Sequence, residues 1–252
     1  FSIDATLNLS TLKNEVLSLG DNVQPITSGA MSSSFSDSPS ITKPGEAIGS
    51  FYGYKINGFD ADGNFIFADT DNNGSVDAND KVILGNPIPD FSYGLNLTMS
   101  YKDFDLTMFF QGVQGNEIFN QKKYTYYFDY SNNCVTDVLN AWTKNNQNTN
   151  IPIMKTQNTD GGNSLPSEFY IEDGSYFRCK NLQLGYNFPK SILNKISFNK
   201  LRVYAGVQNL FTITNYSGYD PEVSSNALFS RGIDSASYPN ARTFTFGFNA
   251  SF

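Results

Sequence analysis

The sequence predicts an all-β chain, an antiparallel transmembrane β-barrel segment with long extracellular loops. Three observations lead there. Apolar residues recur at every second position over runs of about ten residues or longer. The gaps between those runs alternate long and short. The composition is aromatic and poor in charge, with 22 Phe and 15 Tyr in 252 residues and charged side chains at 16%, against roughly 25% in ordinary soluble domains.

The first run, FSIDATLNLS (1–10), sets Phe1, Ile3, Ala5, Leu7 and Leu9 on one face. FSYGLNLTMSY (91–101) sets Phe91, Tyr93, Leu95, Leu97, Met99 and Tyr101 against Ser92, Gly94, Asn96, Thr98 and Ser100. FDLTMFFQG (104–112) carries Phe104, Leu106, Met108 and Phe110. YFRCKNLQLGYNF (176–188), KLRVYAGVQNLFTI (200–213) and ARTFTFGFNASF (241–252) complete the set. Ordinary strands run to about 5–6 residues, whereas a tilted membrane strand needs about 9–11. The polar face is Ser, Thr, Asn and Gly, the composition of an aqueous lumen. A soluble sandwich would show more Lys and Glu there.

The connections point the same way. Runs 91–101 and 104–112 are joined by Lys102 and Asp103 alone, and 176–188 and 200–213 by a short segment. The remaining gaps, about 11–90, 113–175 and 214–240, are long. Outer-membrane barrels alternate short periplasmic turns with long extracellular loops, which places this carboxyl terminus in the periplasm. Six strands close no such barrel, since the smallest have about eight. The other strands are expected from another stretch of polypeptide, and an opening directly in FSIDATLNLS fits a piece of a longer chain.

Charge and composition exclude several functions. Lys and Arg total 17 against 24 Asp and Glu, a net charge of −7, so no basic surface for nucleic acid is expected. Histidine is absent, which removes His-based triads and His-ligated zinc. Cys134 and Cys179 form no CxxC pair and read as unpaired, mostly buried thiols. No apolar run is long enough for a membrane helix. No nucleophile with a base and no phosphate-cradling glycine loop is present, so no enzyme is expected.

Within the loops, EAIGSFYGYKI (46–56) and GNFIF (63–67) read as short strands pairing around GFDAD. NNCVTDVLNAWTKNNQ (132–147) spaces Val135, Val138, Leu139 and Trp142 as a helix capped by Asn133. SGAMSSSFSDSPSITKPG (28–45) reads as mobile. Tyr124, Tyr126, Tyr127 and Tyr130, and Trp142, read as loop packing rather than ligand contacts. Asp220 and Glu222, flanking Pro221, read as turn residues.

DTDNNGSVDAND (69–80) matches the twelve-residue calcium-loop pattern with its last position relaxed. Asp69, Asp71 and Asn73 supply side-chain oxygens from positions one, three and five. Gly74 permits the sharp turn, Ser75 offers its carbonyl, and Asp77 and Asp80 follow at nine and twelve. Hard oxygen donors in this number suit Ca²⁺, with Mg²⁺ as the alternative. Position twelve is Asp rather than Glu, and the flanks are strand-like. That favours a structural clamp over a sensor, which needs a helix pair to open.

Several stretches taken together resemble the C-terminal part of the SusC/RagA family, the TonB-dependent outer-membrane receptors of Bacteroidetes. They are DTDNNGSVDANDKVILGNPIPDFSYGLNLTMSYKDFDLTMFFQGVQGNEIFN, VLNAWTKNNQNTNIP, SYFRCKNLQLGYNFP and LRVYAGVQNLFTITNYSGYDPE, and the chain ends in Phe252. The resemblance implies that residues 1–252 are the last six strands of a 22-stranded barrel with an N-terminal plug. It implies a SusD-like lipoprotein cap, TonB-driven uptake of oligosaccharides or peptides, and association with the N-terminal barrel and plug portion. The rival readings are a secreted calcium-binding β-sandwich, either adhesion or carbohydrate-binding, and a hydrolase using paired carboxylates.

Overall fold

A computed structural model of the chain describes residues 1–29, 37–128, 133–155, 162–195, 197–223 and 228–252. Its strands fall, in chain order, as follows. β1 (Ser2–Thr11) precedes β2 (Ile26–Ser28), β3 (Ser40–Thr42) and β4 (Ser50–Gly53). The hairpin β5 (Ile56–Phe59) and β6 (Phe65–Phe67) and then β7 (Val82–Gly85) lead to β8 (Phe91–Tyr101) and β9 (Phe104–Gln114). β10 (Glu117–Asn120) and β11 (Ile171–Asp173) precede β12 (Tyr176–Asn187) and β13 (Lys200–Thr214). β14 (Ile233–Asp234) and β15 (Thr243–Ser251) close the series.

The six long strands form one antiparallel sheet in the order β1-β8-β9-β12-β13-β15. These are the six runs of alternating residues, in sequence order. The register aligns their apolar faces. Ile3, Ala5, Leu7 and Leu9 oppose Met99, Leu97, Leu95 and Tyr93. Leu95, Leu97, Met99 and Tyr101 oppose Phe110, Met108, Leu106 and Phe104. Residues directly opposite share a face, so the register assembles one continuous apolar surface and one polar surface.

The alternation of β12 changes phase midway, with Phe177 and Cys179 in one phase and Leu182, Leu184 and Tyr186 in the other. A register shift between Cys179 and Asn181 accommodates it. The extra residue, Lys180, returns both halves of the strand to the same apolar face, as a β-bulge does.

At one end of the sheet the connections are tight: Lys102, at φ 53°, turns β8 into β9, and residues 188–199 link β12 to β13. At the other end the three long loops fold together into a cap. It holds a four-stranded sheet β2-β3-β4-β7, the hairpin β5-β6 and a three-stranded sheet β11-β10-β14. Its core is Phe51, Phe65, Phe119, Tyr127, Phe128, Ala141, Ile151, Tyr170 and Ile233. Phe119 stacks on Tyr170 at 5.0 Å between ring centres.

The cap departs from the sequence expectations in four places. Residues 63–67 pair in a hairpin as expected, but only Ile56 of 46–56 takes part: the partner strand is Ile56–Phe59, which includes Gly58 and Phe59 of GFDAD, and Ser50–Gly53 pairs with β3 and β7 instead. Residues 37–42 of the Ser- and Pro-rich stretch are packed rather than mobile: Ser40 is buried and donates to the Phe229 carbonyl at 2.6 Å. Residues 30–36 of that stretch lie outside the described residues. In place of the helix over 132–147 stands a 3₁₀ turn, Thr136–Asn140, whose N-cap is Val135 with no side-chain cap bond. The Asn- and Thr-rich sequence is a poor helix former, and Trp142 leaves the turn to donate its backbone N–H to Ile151. Its buried ring lies against Gly63, at φ 80°, where a Cβ would stand 2.3 Å from it. Finally, both cysteines are free as expected, but Cys134 is exposed and only Cys179 is buried.

Candidate membrane wall and loop metal site

The apolar face of the wall runs across all six long strands. Its middle rows are aliphatic: Leu95, Leu97, Met99, Leu106, Met108, Leu182, Leu184, Val203, Ala205 and Val207. Aromatic rings bracket them. At the tight-turn end stand Tyr101, Phe104 and Tyr186, with Phe104 and Tyr186 at 4.8 Å. At the cap end Phe110, Phe177 and Phe211 make a ladder across three strands, 5.5 and 6.2 Å apart, with Tyr93 6.3 Å from Phe177. The eleven residues of β8, at about 3.3 Å each and tilted by about 40°, project to roughly 25 Å, the height of the apolar band of an outer-membrane barrel. An aliphatic belt between aromatic girdles is the surface such a barrel shows to lipid.

Burial distinguishes this wall from a soluble sandwich. Leu7, Phe244, Phe246 and Phe248 are highly exposed, Phe246 at 80%. On the apolar face of the wall, among the described residues, only Gly112 and Cys179 are buried. No second sheet covers that face among the described residues. An apolar area of this extent on a water-soluble monomer would be an aggregation surface.

The other face carries Asp4, Thr6, Asn8, Asn96, Thr98, Thr107, Gln183, Thr245 and Asn249, the small polar lining expected of a lumen. Arg202 spans from β13 to Asp105 on β9, and Asn187 donates to the same carboxylate at 2.9 Å. The pair crosses directly over Gly185, where a Cβ would fall 2.4 Å from the Arg202 Nη2. Phe109 also stands on this face, opposite Asn96.

Where wall meets cap, Arg178 is 2% exposed. Its guanidinium donates to Asp220, to Glu222 at 2.8 Å and to Thr212 at 2.8 Å. Lys180, the bulge residue, also donates to Glu222 at 2.8 Å. Asp220 and Glu222 are therefore not merely turn residues: they strap the 215–242 loop to the wall. Burial pulls the Asp220 carboxyl upward, but Arg178 and the backbone N–H groups of Asn240 and Glu222 outweigh it and hold the group below its usual range. Deeper in the loop, Asp234 pairs with the buried Lys122 at 2.8 Å and accepts from the Tyr216 hydroxyl. Burial and that hydrogen bond drive the Tyr216 phenol well above its usual value. Sequence spacing hides these partners, because Arg178 and Asp220 lie 42 residues apart.

The tyrosine cluster behaves as packing. Tyr127 joins the cap core and Tyr126 meets the Tyr219 hydroxyl at 3.3 Å. Tyr130 lies outside the described residues.

The acidic loop lies between β6 and β7. Carboxylate oxygens of Asp69, Asp71 and Asp80 all converge within 4.8 Å of one another. Asp80 is fully buried. It accepts from the backbone of Thr70 at 2.6 Å and of Asp77 at 2.8 Å. The Asp77 N–H above all, with those of Thr70 and Asp71, holds its carboxyl below the usual range against the effect of burial. Asp69 accepts from the N–H of Gly74 at 2.8 Å, and Asn73 donates to Asp71 at 3.0 Å. The Asn73 side-chain oxygen turns to Ser75, and Asp77 caps the short 3₁₀ turn Ala78–Asp80. Of the six expected donors, then, three carboxylates are brought together, while Asn73, Ser75 and Asp77 bond within the loop. Three carboxylates this close repel one another unless protons, N–H donors or a cation offset the charge, so the donor set fits a hard divalent ion.

A single antiparallel curtain with a lipid-type face, a polar reverse face and two unclosed edges defines one class of protein, the wall of a transmembrane β-barrel. No family model matches the chain. Across its whole length it is 37% identical to TonB-dependent receptor P3 and 32% identical to TonB-dependent receptor P26, both of Formosa agariphila. It is 31% identical to TonB-dependent receptor SusC of Bacteroides thetaiotaomicron. The chain spans only about a quarter of these relatives, 27%, 27% and 24% of their lengths. Among solved structures, the RagAB peptide transporter matches 99% of the chain and 27% of its own chain, at TM-score 0.77 and 24% identity, a likeness of fold. The chain belongs to the TonB-dependent receptors of the SusC/RagA kind, as a C-terminal segment of the barrel.

Proposed function

We propose that this chain is part of an outer-membrane nutrient importer, driven through TonB and taking up oligosaccharides or peptides with a SusD-like lipoprotein. The apolar face meets membrane lipid, and the N-terminal barrel and plug portion of the receptor completes the cylinder at β1 and β15. The tight turns lie in the periplasm with the carboxyl terminus. The cap lies outside, where it walls the cavity that encloses the solute. The chain carries out no chemical reaction of its own.

One observation supports this reading above the rest: the aligned apolar face between two aromatic rows, left uncovered by the chain's own core. Its test is fractionation of the full receptor and uptake by cells that carry or lack it. Recovery with outer membranes, release only by detergent and receptor-dependent uptake are expected. A water-soluble receptor with no effect on uptake would overturn the reading.

Ca²⁺, or Mg²⁺ in its place, is held by Asp69, Asp71 and Asp80, with Asn73, Ser75 and Asp77 as the further donors of the loop. The ion does not react. It neutralises the converging carboxylates and ties β6 to β7.

A further inference from the structure

The tight-turn end of the wall is basic, whereas the chain as a whole carries a net charge of −7. Lys102 lies in the β8–β9 turn, and Lys190 and Lys195 lie in the link from β12 to β13; all three are exposed. None of the three is held in an ion pair among the described residues. The side-chain carboxylates at this end are Asp103 and Asp105, and Arg202 already binds Asp105. Lys200 is exposed too, but it opens β13 opposite Ser251, in the polar phase, and belongs to the reverse face.

The three lysines stand just beyond an aromatic row. Tyr101, Phe104, Tyr186 and Phe188 follow one another across β8, β9, β12 and the start of the link. Phe104 and Tyr186 are 4.8 Å apart, and Tyr186 and Phe188 5.1 Å. Lys102, at φ 53°, sets its Nζ 5.4 Å from the centre of the Tyr101 ring. Tyr101 lies on the apolar face and is 56% exposed, so this ammonium leans to the side that lipid covers. The two connections are tied, because the Asn187 N–H donates to the Asp103 carbonyl at 2.8 Å. Neighbouring strands lie about 4.8 Å apart, which separates turn and link by roughly 10 Å. Both therefore face one patch of membrane surface. The link also holds the helical turn Lys190–Leu193, which buries Leu193 and leaves Ile192 exposed beside the lysines.

Aromatic rings mark the edge of the hydrocarbon. A lysine past them lays its stem along apolar surface and holds its ammonium among the headgroups. A zwitterionic headgroup meets that ammonium with a phosphate and a cation of its own. An anionic headgroup meets it with the phosphate alone. Each lysine near an anionic surface strengthens binding by about fivefold. A nucleic acid or an acidic protein would supply the charge but no acyl chain for Tyr101, Phe104 and Ile192. We infer that the tight-turn rim binds anionic phospholipid. The phosphate lies between Lys102 and the lysines of the link, and the acyl chains lie on the apolar face. This rests on the reading of that face as a membrane wall.

The test uses the full receptor in bilayers of phosphatidylcholine and phosphatidylglycerol. It carries a nitrobenzoxadiazole fluorophore on Phe104→Cys as its single reactive cysteine. Lipid composition is held constant, and a nitroxide quencher is placed on the acyl chain of one lipid or the other. Relative association with phosphatidylglycerol is expected to exceed that with phosphatidylcholine at least about fivefold. The preference should shrink in Lys102→Gln, persist in Lys102→Arg and vanish when Lys102, Lys190 and Lys195 are all changed to Gln. It should be absent with the fluorophore on Tyr93→Cys, at the cap end of the wall. Heat-modifiable mobility establishes that each variant is folded. Equal quenching by the two lipids, a preference unchanged in the triple variant, or the same preference at Tyr93 would each overturn it. A folded receptor quenched by neither lipid at Phe104 would refute the membrane wall itself.

Discussion

The wall and the cap come from one chain but follow opposite rules. In the cap, Phe51, Phe119 and Tyr170 are fully buried and the strands are short, as in any water-soluble domain. In the wall the strands run from nine to fifteen residues, and the apolar side chains are half-buried on the inner strands and exposed on the edge strands β1 and β15. The cap makes its own interior, whereas the wall depends on lipid to cover one face and on further strands to satisfy its edges. The same residue types, Phe and Leu, therefore stabilise the two regions by different contacts.

The sharpest way to break the comparison is Phe119→Ala. It opens a cavity between Phe51 and Tyr170 and should cost the cap about 3–5 kcal/mol. Pulsed proteolysis of the assembled receptor should show cleavage in residues 115–175 with the wall still protected. If wall and cap lose protection together, they are one cooperative unit and the comparison is wrong. Next in size is Leu97→Arg, which sets a charge in the middle of the apolar face at about 2–4 kcal/mol. Folded receptor in outer membranes, scored by heat-modifiable mobility, should fall sharply, while Thr98→Arg on the opposite face should assemble normally. Equal losses would mean the two faces are not chemically distinct.

A smaller effect, confined to the cap, is expected on removing divalent cations: faster hydrogen exchange over residues 60–90 and none over β8 or β9. Unchanged exchange would discard the metal clamp. The smallest effect concerns acid. Asp220 and Asp234 are both held below the ordinary carboxylate value of 3.8. Their contribution is complete above that value and lost as pH falls through their lowered ones. Exchange in 215–242, taken relative to that of an unstructured chain at the same pH, should stay flat from neutrality to pH 4 and rise only below 3.8. A rise near pH 6 would contradict the assignment of these carboxylates as ionised partners of Arg178 and Lys122.

The wall was legible in sequence because its rule is local: a period of two, sustained for a membrane's thickness, needs no knowledge of distant residues. Even the phase change between Cys179 and Leu182 is written there. The cap was legible only in pieces. GFDAD marks its own hairpin, and the spacing of Asp69, Asp71 and Asp80 brings three carboxylates together. The partners of Ser50–Gly53, the role of Asp220 and Glu222 and the loss of the helix at Trp142 all depend on residues tens of positions away. Trp142 follows the space left by Gly63, not its own helical spacing.

The central claim, that the odd-numbered face of β8 touches hydrocarbon, is tested most directly by spin labels. They would be placed singly at positions 95 to 99 of the full receptor in bilayers, in a Cys134→Ser, Cys179→Ala background. Collision with dissolved oxygen should be high at Leu95, Leu97 and Met99 and low at Asn96 and Thr98, a period of two. A flat profile, or one with the phase reversed, would contradict it.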